Sequence, residues 1–398
     1  MNAKLSDAVF WVGFVDWSVR DFHGYRTERG STYNAYLVSG RKQALIDTVK
    51  APYVHDLLDH IRVHQPLENL DYIVCNHAEP DHAGALDQMV AACPRATVVC
   101  NRKCAEALAL HFDTSSWRMQ IVTDGSTLDL GGRTLQFFDT PMVHWPESMA
   151  TYVVEDQILF SMDAFGQHYA GSWRFDDEAP LHELMSEAKT YYANIVMPYG
   201  KPVAAALAKL GALPLRMVAP SHGVIWRSHI GEIVSAYRNW MVCKPAAKVL
   251  IVYASMWNST RTMAKALAAG ALETPVDVCL LDADSVHDTV IVTEALDSAC
   301  LAIGSPTLNQ GILPRMASTL TYLRGLRPTG RTGLAFGSYG WAPRGIDELV
   351  QYLQAMQVTP VRDPISCRFR PDAATLQLCR ETGRQLAATA LEKAAGAG

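Results

Sequence analysis

The chain of 398 residues has no CxxC pair and neither of the glycine fingerprints GxGxxG and GxxxxGK[ST]. It also has no uninterrupted apolar run near the ~20 residues a bilayer span requires. Each absence removes a class. Without CxxC there is no cysteine-held, rubredoxin-type iron site, and nine cysteines in a reducing compartment read most simply as buried small hydrophobes. Cys100 and Cys104 have the spacing of one helical face, but no histidine accompanies them as a metal pair. Without the glycine fingerprints, a dinucleotide Rossmann site and a P-loop are disfavoured. The best apolar stretch, 203–218, is interrupted by Lys209, Gly211, Pro214 and Arg216, so no membrane role is expected. Residues 1–7 carry neither an apolar run nor a small-residue cleavage site, which predicts a cytoplasmic protein. Formal net charge is only −5 with 19% charged residues, too little bulk charge for a partner such as nucleic acid or a membrane surface. No solenoid repeat occurs, and low complexity is confined to the Ala/Gly tail after Leu391, which is expected to fray.

What is present is concentrated. His77-Ala78-Glu79-Pro80-Asp81-His82 sets two imidazoles and two carboxylates directly behind the apolar run 72–75, which reads as a buried strand. Crowded together, those groups would repel or lie unpaired unless a cation gathers them, and iron, manganese or zinc suits a mixed nitrogen and oxygen set. The alternative is a polar loop with solvated side chains. Three later strand ends argue against it: 137–139 leads to His144, 158–160 to Asp163, and 217–220 to His222. Singly, His144 or His222 reads as a satisfied core or surface histidine and Asp163 as a cap for the following turn. Jointly, side chains just past neighbouring strand ends converge on one site. Seven candidates exceed the four ligands of a tetrahedral ion and fit two metals sharing one carboxylate.

Length predicts two domains. An aromatic amphipathic stretch (Ile233, Tyr237, Trp240, Met241) gives way near 243–247 to a fresh strand, so the boundary is placed between 1–246 and 247–398. In the first part, strands are predicted at 33–38, 43–47, 72–75, 97–100, 120–122, 134–139, 149–154 and 158–161. Helices are predicted at 53–63, 83–92 and 181–195, giving a mixed α/β arrangement. The second part alternates strand and helix: strands at 249–253, 276–281, 301–304, 333–337 and near 360–364, helices at 260–272 and between the later strands, and a last helix over 373–392. That pattern predicts a doubly wound parallel sheet.

Behind the strand ending at Tyr253, Ser255-Met256-Trp257-Asn258-Ser259-Thr260 opens a helix, offering hydroxyls, amides and a helix N-terminus to a terminal phosphate. Helix caps use the same residues, so that loop alone is only moderately specific. Two more loops fall where a doubly wound sheet puts its ligand crevice. They are Gly304-Ser305-Pro306-Thr307-Leu308-Asn309-Gln310-Gly311 and Phe336-Gly337-Ser338-Tyr339-Gly340-Trp341, whose aromatics suit a flat ring.

These segments, with 144–149 (HWPESM), 161–168 (SMDAFGQH), 191–199 (YYANIVMPY) and 221–223 (SHG), resemble the flavodiiron proteins, or type A flavoproteins, essentially end to end. The resemblance implies a metallo-β-lactamase-like αββα sandwich followed by a flavodoxin-like domain, with the three loops resembling the FMN site of flavodoxins. It further implies that His77, Glu79 and His144 bind one iron, Asp81, His82 and His222 a second, and that Asp163 bridges them. Hydrolytic members of the wider superfamily usually carry histidine at Glu79, and a hard carboxylate favours iron. His23, His168 and Tyr191 match positions near the substrate pocket, where they either donate hydrogen bonds or protons or serve as ordinary structural groups. Two departures stand out: Ala83 replaces a common serine, and Ala342-Pro343-Arg344-Gly345 follows Trp341. Arg344 either steadies a reduced, anionic flavin or points to solvent.

The implied activity is reduction of dioxygen to water, of nitric oxide to nitrous oxide, or both. Electrons would come from an external rubredoxin-like donor through FMN to two irons, in a head-to-tail homodimer whose pairing into a tetramer stays open. Two rivals remain. A low-potential FMN electron carrier would not need the full ligand set, and a zinc hydrolase would need neither Glu79 nor the second domain.

Overall fold

The structure, a computed structural model, describes residues 3–396. It divides into two compact units, one of residues 1–191 and 201–238, the other of 192–200 and 239–398.

The first unit is built on two sheets. One runs in the order Val9–Trp11, Tyr36–Ser39, Gln43–Ile46, Leu70–Val74, Thr97–Asn101, Met119–Val122, antiparallel over its first three strands and parallel thereafter. The other runs Thr127–Asp129, Thr134–Asp139, Met149–Val153, Ile158–Met162, Met217–Pro220, with only the last pair parallel. Alternation along the strands sends Trp11, Tyr36, Ile46, Val74 and Val99 from the first sheet against Leu135, Phe137, Met149, Ile158 and Phe160 from the second. The opposite face of the first sheet is covered by apolar stripes from helices Val54–Arg62, Leu86–Ala92 and Arg102–His111. Leu210 of helix Gly200–Leu210 packs on Phe138, Ala150, Tyr152 and Leu159 outside the second sheet. The result is an αββα sandwich.

Four local expectations change. The strand predicted over 33–38 is broken, because Asn34 leaves the sheet to serve the other one. Its backbone N–H donates to the Ser221 carbonyl at 2.8 Å, its side-chain Nδ2 to the carbonyls of Pro220 and Gly223 at 2.8 and 3.0 Å, and its Oδ1 accepts from the Trp11 indole at 2.8 Å. The helix predicted over 83–92 splits into a turn at Pro80–Ala83 and a helix at Leu86–Ala92, since the Ala85 N–H turns to the Val49 carbonyl at 3.0 Å. The helix begun at Leu181 ends at Tyr191 and widens into a π turn over Tyr192–Val196. Cys100 and Cys104 do not share a helix face: the former lies in strand Thr97–Asn101, and the latter in the first turn of helix Arg102–His111, which Asn101 caps, with its sulfur 3.7 Å from that of Cys75.

The second unit carries a parallel sheet in the order Asp277–Asp282, Ala246–Tyr253, Ser298–Gly304, Thr332–Tyr339, Thr359–Pro360, with Ile365–Arg368 also pairing to Thr332–Tyr339. By chain order this is 2-1-3-4-5, the flavodoxin order, which reverses direction beside Ala246–Tyr253. Two edge pieces replace the single strand predicted near 360–364, as Pro360 and Pro364 have no N–H for a ladder. Helices Ser259–Ala271 and Ala373–Gly396 cross at glycine. A Cβ on Gly383 would overlap the Leu267 carbonyl, and one on Gly270 the Arg380 carbonyl. Gly383→Ala is expected to force the two helices apart at a cost of about 1–3 kcal/mol, read as a lower urea midpoint for this unit.

Candidate metal centre and cofactor crevice

In the first unit, the seven sequence candidates all sit in turns just past strand ends. The turn after Leu70–Val74 is fixed before it reaches His77: Asn76 takes both oxygens of buried Asp47 at 2.8 Å and accepts the Thr151 hydroxyl at 2.7 Å from the other sheet. Both sheets thus set the position of the histidine that follows. Asp81 and His82 lie on the Pro80–Ala83 turn, and the Thr48 N–H holds the His82 carbonyl at 3.0 Å.

The candidates gather into two groups, His77, Glu79, His144, Asp163 and Asp81, His82, His222, each with donor atoms within 4.8 Å of one another. Asp163 divides its oxygens between them. Its Oδ2 lies 3.3 Å from His144 Nε2 and 3.6 Å from His77 Nε2, while Oδ1 lies 3.1 Å from His82 Nε2 and 3.5 Å from His222 Nε2. Glu79 Oε2 faces His77 and His144 at 3.1 and 3.2 Å, and Asp81 Oδ2 faces His222 and His82 at 3.1 and 3.3 Å. Six of these side chains are buried.

The donor set fits two cations. Asp81 Oδ1, both Asp163 oxygens and both His82 nitrogens are buried without a hydrogen-bond partner, a costly state for polar atoms unless something charged fills it. Two histidines are pinned with the correct nitrogen forward: His77 Nδ1–H donates to Glu147 at 2.7 Å, and His222 Nδ1–H to the Thr32 carbonyl at 2.6 Å, so each Nε2 faces the carboxylates. Burial alone would raise the carboxylate pKa values and lower those of the imidazoles. Instead, hydrogen bonds and opposite charges hold Glu79, Asp81 and Asp163 below their ordinary range and His77 and His82 above theirs, with His144 at about 10. The protein's fixed negative charge thus calls for positive charge at this point. Four carboxylates, counting Glu147, are matched by two divalent ions.

Glu147 was not singled out from sequence. Its partner is 70 positions away, so only the fold reveals the pairing. Glu147→Gln keeps the size but weakens the grip on His77, and is expected to lower metal affinity ~10–100-fold, read by chelator competition.

His23, His168 and Tyr191 stand in distinct places. His23 occupies a left-handed turn (φ 57°) with its side chain 68% exposed, and its Nε2 lies 2.9 Å from Glu79 Oε1. His168 is fully buried, with Nδ1 2.7 Å from the Ser31 hydroxyl and no partner for Nε2; burial, aided by His222, pushes its pKa well down. Tyr191 ends its helix with its ring 5.1 Å from that of His168, and burial raises its phenol well above the usual value. Unsought by sequence, Lys50 holds its ammonium 4.5 Å over Phe22 and 4.7 Å over Tyr33.

In the second unit, all three expected loops lie at the carboxyl ends of neighbouring strands, the first two on the strands that flank the topological reversal. Ser255, Met256, Trp257 and Asn258 link strand Ala246–Tyr253 to the helix opening at Ser259 and Thr260. Ser305, Pro306, Thr307, Leu308, Asn309 and Gly311 follow Ser298–Gly304, and Ser338 and Tyr339 end the next strand before Gly340 and Trp341. The loops are tied together: Thr307 N–H donates to the Ser338 carbonyl at 2.8 Å, and Thr260 and Ser338 hydroxyls lie 3.3 Å apart. Ser305 spends its hydroxyl inside its own loop, on Pro306 O and Leu313 N–H. Trp257 and Trp341 are 88% and 84% exposed, two unpartnered faces suited to a flat ring. A phosphate at the helix N-terminus and a planar ring by the indoles is what the crevice can take. Arg344 is exposed and lies 3.8 Å from Asp347 on its own helix.

Fold and donor set together define a flavin- and metal-binding α/β protein with a β-lactamase-like first part. Residues 32–223 match the ODP family beta lactamase model and residues 251–383 the flavodoxin model. The chain is 40% identical over 389 residues to the nitric oxide reductase of Moorella thermoacetica, covering 96% of this chain and 98% of that one. It superposes on the rubredoxin oxygen:oxidoreductase of Desulfovibrio gigas with a TM-score of 0.96 at 38% identity, covering 99% of both chains. For the flavodiiron protein of Giardia intestinalis the TM-score is 0.97 at 36% identity, covering 100% of this chain and 98% of that one. The chain belongs to the flavodiiron protein family.

Proposed function

We propose that this chain is an oxidoreductase that reduces nitric oxide to nitrous oxide, dioxygen to water, or both, at two irons fed by FMN. The observation that carries the reading is the division of Asp163: one oxygen faces each histidine group, as a bridging carboxylate requires. Relatives named nitric oxide reductase and rubredoxin oxygen:oxidoreductase support both gases as substrates. His77, Glu79 and His144 would hold one iron and Asp81, His82 and His222 the other, with the flavin on the loops of 247–398 and the metals in 1–246.

Once bound, the iron pair supplies a redox-active place for the gas and a path for electrons from the flavin. The chain's own groups do the rest. Glu147 and Thr32 fix the tautomers of His77 and His222. His168, kept neutral by burial, presents Nε2 as its one uncommitted nitrogen, able to hold a proton beside Tyr191. His23, exposed and touching Glu79, is placed to exchange protons with solvent.

Electrons would come from a rubredoxin-like or other external donor. A head-to-tail homodimer would bring flavin and iron of different copies together. Among the described residues no helix is long and apolar enough to cross a membrane, and a cytoplasmic location fits. The test is direct: quantify iron and FMN anaerobically, then follow nitric oxide and dioxygen consumption by the reduced protein. Full cofactor loading without either consumption would overturn the reading in favour of an electron carrier.

A further inference from the structure

We propose that a small apolar cavity behind His144 and Asp163 is a binding site for an uncharged diatomic gas, holding substrate in reserve beside the metal centre. The proposal rests on the reading that the chain reduces nitric oxide or dioxygen. The cavity lies in the first unit, where the ends of strands Thr134–Asp139 and Ile158–Met162 meet helices Gly200–Leu210 and Ile230–Trp240.

Its wall is apolar: Val143, Val203, Leu207 and Leu210 contribute aliphatic groups, Ala164 a methyl and Tyr237 its ring. No charged residue lines it. The polar groups that do reach it are committed elsewhere, because the Tyr237 hydroxyl accepts the Phe165 N–H at 2.7 Å and the Ser161 hydroxyl donates to the Ala164 carbonyl at 2.7 Å. Of the lining hydroxyls only that of Thr140 is left. A water molecule needs two to four hydrogen-bond partners, so it gains little by entering. About 20 Å³ is open to the centre of a water-sized molecule, against ~10–15 Å³ for one water, which is room for a single small guest.

Nitric oxide and dioxygen suit such a space. They are uncharged, give up almost no hydration, and gain dispersion contacts with the apolar lining. The location gives the site a purpose. Val143 precedes His144 and Ala164 follows Asp163, and both of those residues belong to the four-residue metal group. The cavity wall and the ligands therefore share two short backbone segments. A guest held there waits within a residue or two of the chain that presents the metal.

Xenon tests the site without turnover, since it binds in apolar cavities. Crystals of the iron- and FMN-loaded protein under xenon pressure are expected to show one atom between Val143, Leu207 and Tyr237, and none in Ala206→Phe, whose ring would fill the space from the helix. In solution the same variant should keep its iron, FMN and kcat while kcat/KM for the gas falls about fivefold. Leu210→Ala, which widens the cavity, should retain xenon. Absence of xenon from the unmodified protein overturns the site. Xenon binding with unchanged kcat/KM in Ala206→Phe overturns its role in supply. A protein that binds xenon yet consumes neither gas leaves the cavity standing and overturns only the activity proposed above.

Discussion

Asp163→Asn is expected to lower gas reduction by at least about 10³-fold, equivalent to ~4 kcal/mol on the barrier, while leaving FMN and the fold in place. The size follows from what the side chain does. Its two oxygens face two separate histidine groups, at 3.3 Å to His144 and 3.1 Å to His82, so one residue serves both halves of the centre. Asparagine has the same shape but replaces one acceptor with a donor and removes a charge that His82 and the other histidines hold far into the ionised state. Whichever way the amide turns, one group loses its shared ligand, and its NH₂ then points at a nitrogen or a cation. Bound iron should fall from two per chain towards one. The contrast with Glu147→Gln is informative: that carboxylate acts on one histidine from behind, so its loss weakens affinity without removing a ligand. Iron analysis, FMN absorbance and gas consumption on the same sample decide the matter. Two irons with undiminished turnover in Asp163→Asn would remove the bridge.

Much of this candidate site was legible in the sequence because residues placed just behind strands keep their neighbours. His77, Glu79, Asp81 and His82 lie within six residues, and the apolar run before them marks a strand whose end cannot wander. Pairing over longer distances was not legible. The separation of 70 positions between His77 and Glu147 carries no pattern that announces a hydrogen bond, and the Thr32 carbonyl that orients His222 is a backbone atom, which no side-chain motif reports. The same limit explains the broken strand at Asn34. Residues 33–38 are mostly apolar and aromatic, as a strand should be, and only the fold shows that the Asn34 backbone N–H goes to the Ser221 carbonyl at 2.8 Å instead of continuing the ladder. Turns were missed for a related reason: Gly84 and Ala85 read as helix until Val49 competes for the Ala85 N–H. In the second unit local and global preferences agree, since each βα step repeats the same apolar strand and amphipathic helix, and the doubly wound sheet follows almost directly.

Ser259→Asp is expected to cut FMN affinity by at least about 10³-fold and to leave the iron content unchanged. Ser259 is the first residue of the helix that follows strand Ala246–Tyr253, and it is mostly buried in the loop proposed to take the phosphate. The helix offers an N-terminus with unsatisfied N–H groups and no acidic side chain in its first turn, an arrangement that favours an anion. An aspartate there fills the nest with a negative charge of its own. At roughly 4 Å and an effective dielectric near 20, two like unit charges repel by about 4 kcal/mol, and a phosphate carries nearly two. Ser259→Ala separates charge from hydrogen bonding, since it removes only the hydroxyl and should cost ~0.5–1.5 kcal/mol, or about tenfold at most. The seven metal candidates all lie between residues 77 and 222 in the other unit, so iron should stay bound while the flavin is lost. Such a protein would still hold its metals but would have no entry for electrons, and donor-driven gas consumption should vanish. Equilibrium dialysis against FMN reads the affinity directly. Wild-type FMN binding by Ser259→Asp would show that the phosphate sits elsewhere, and the assignment of this loop would fall with it.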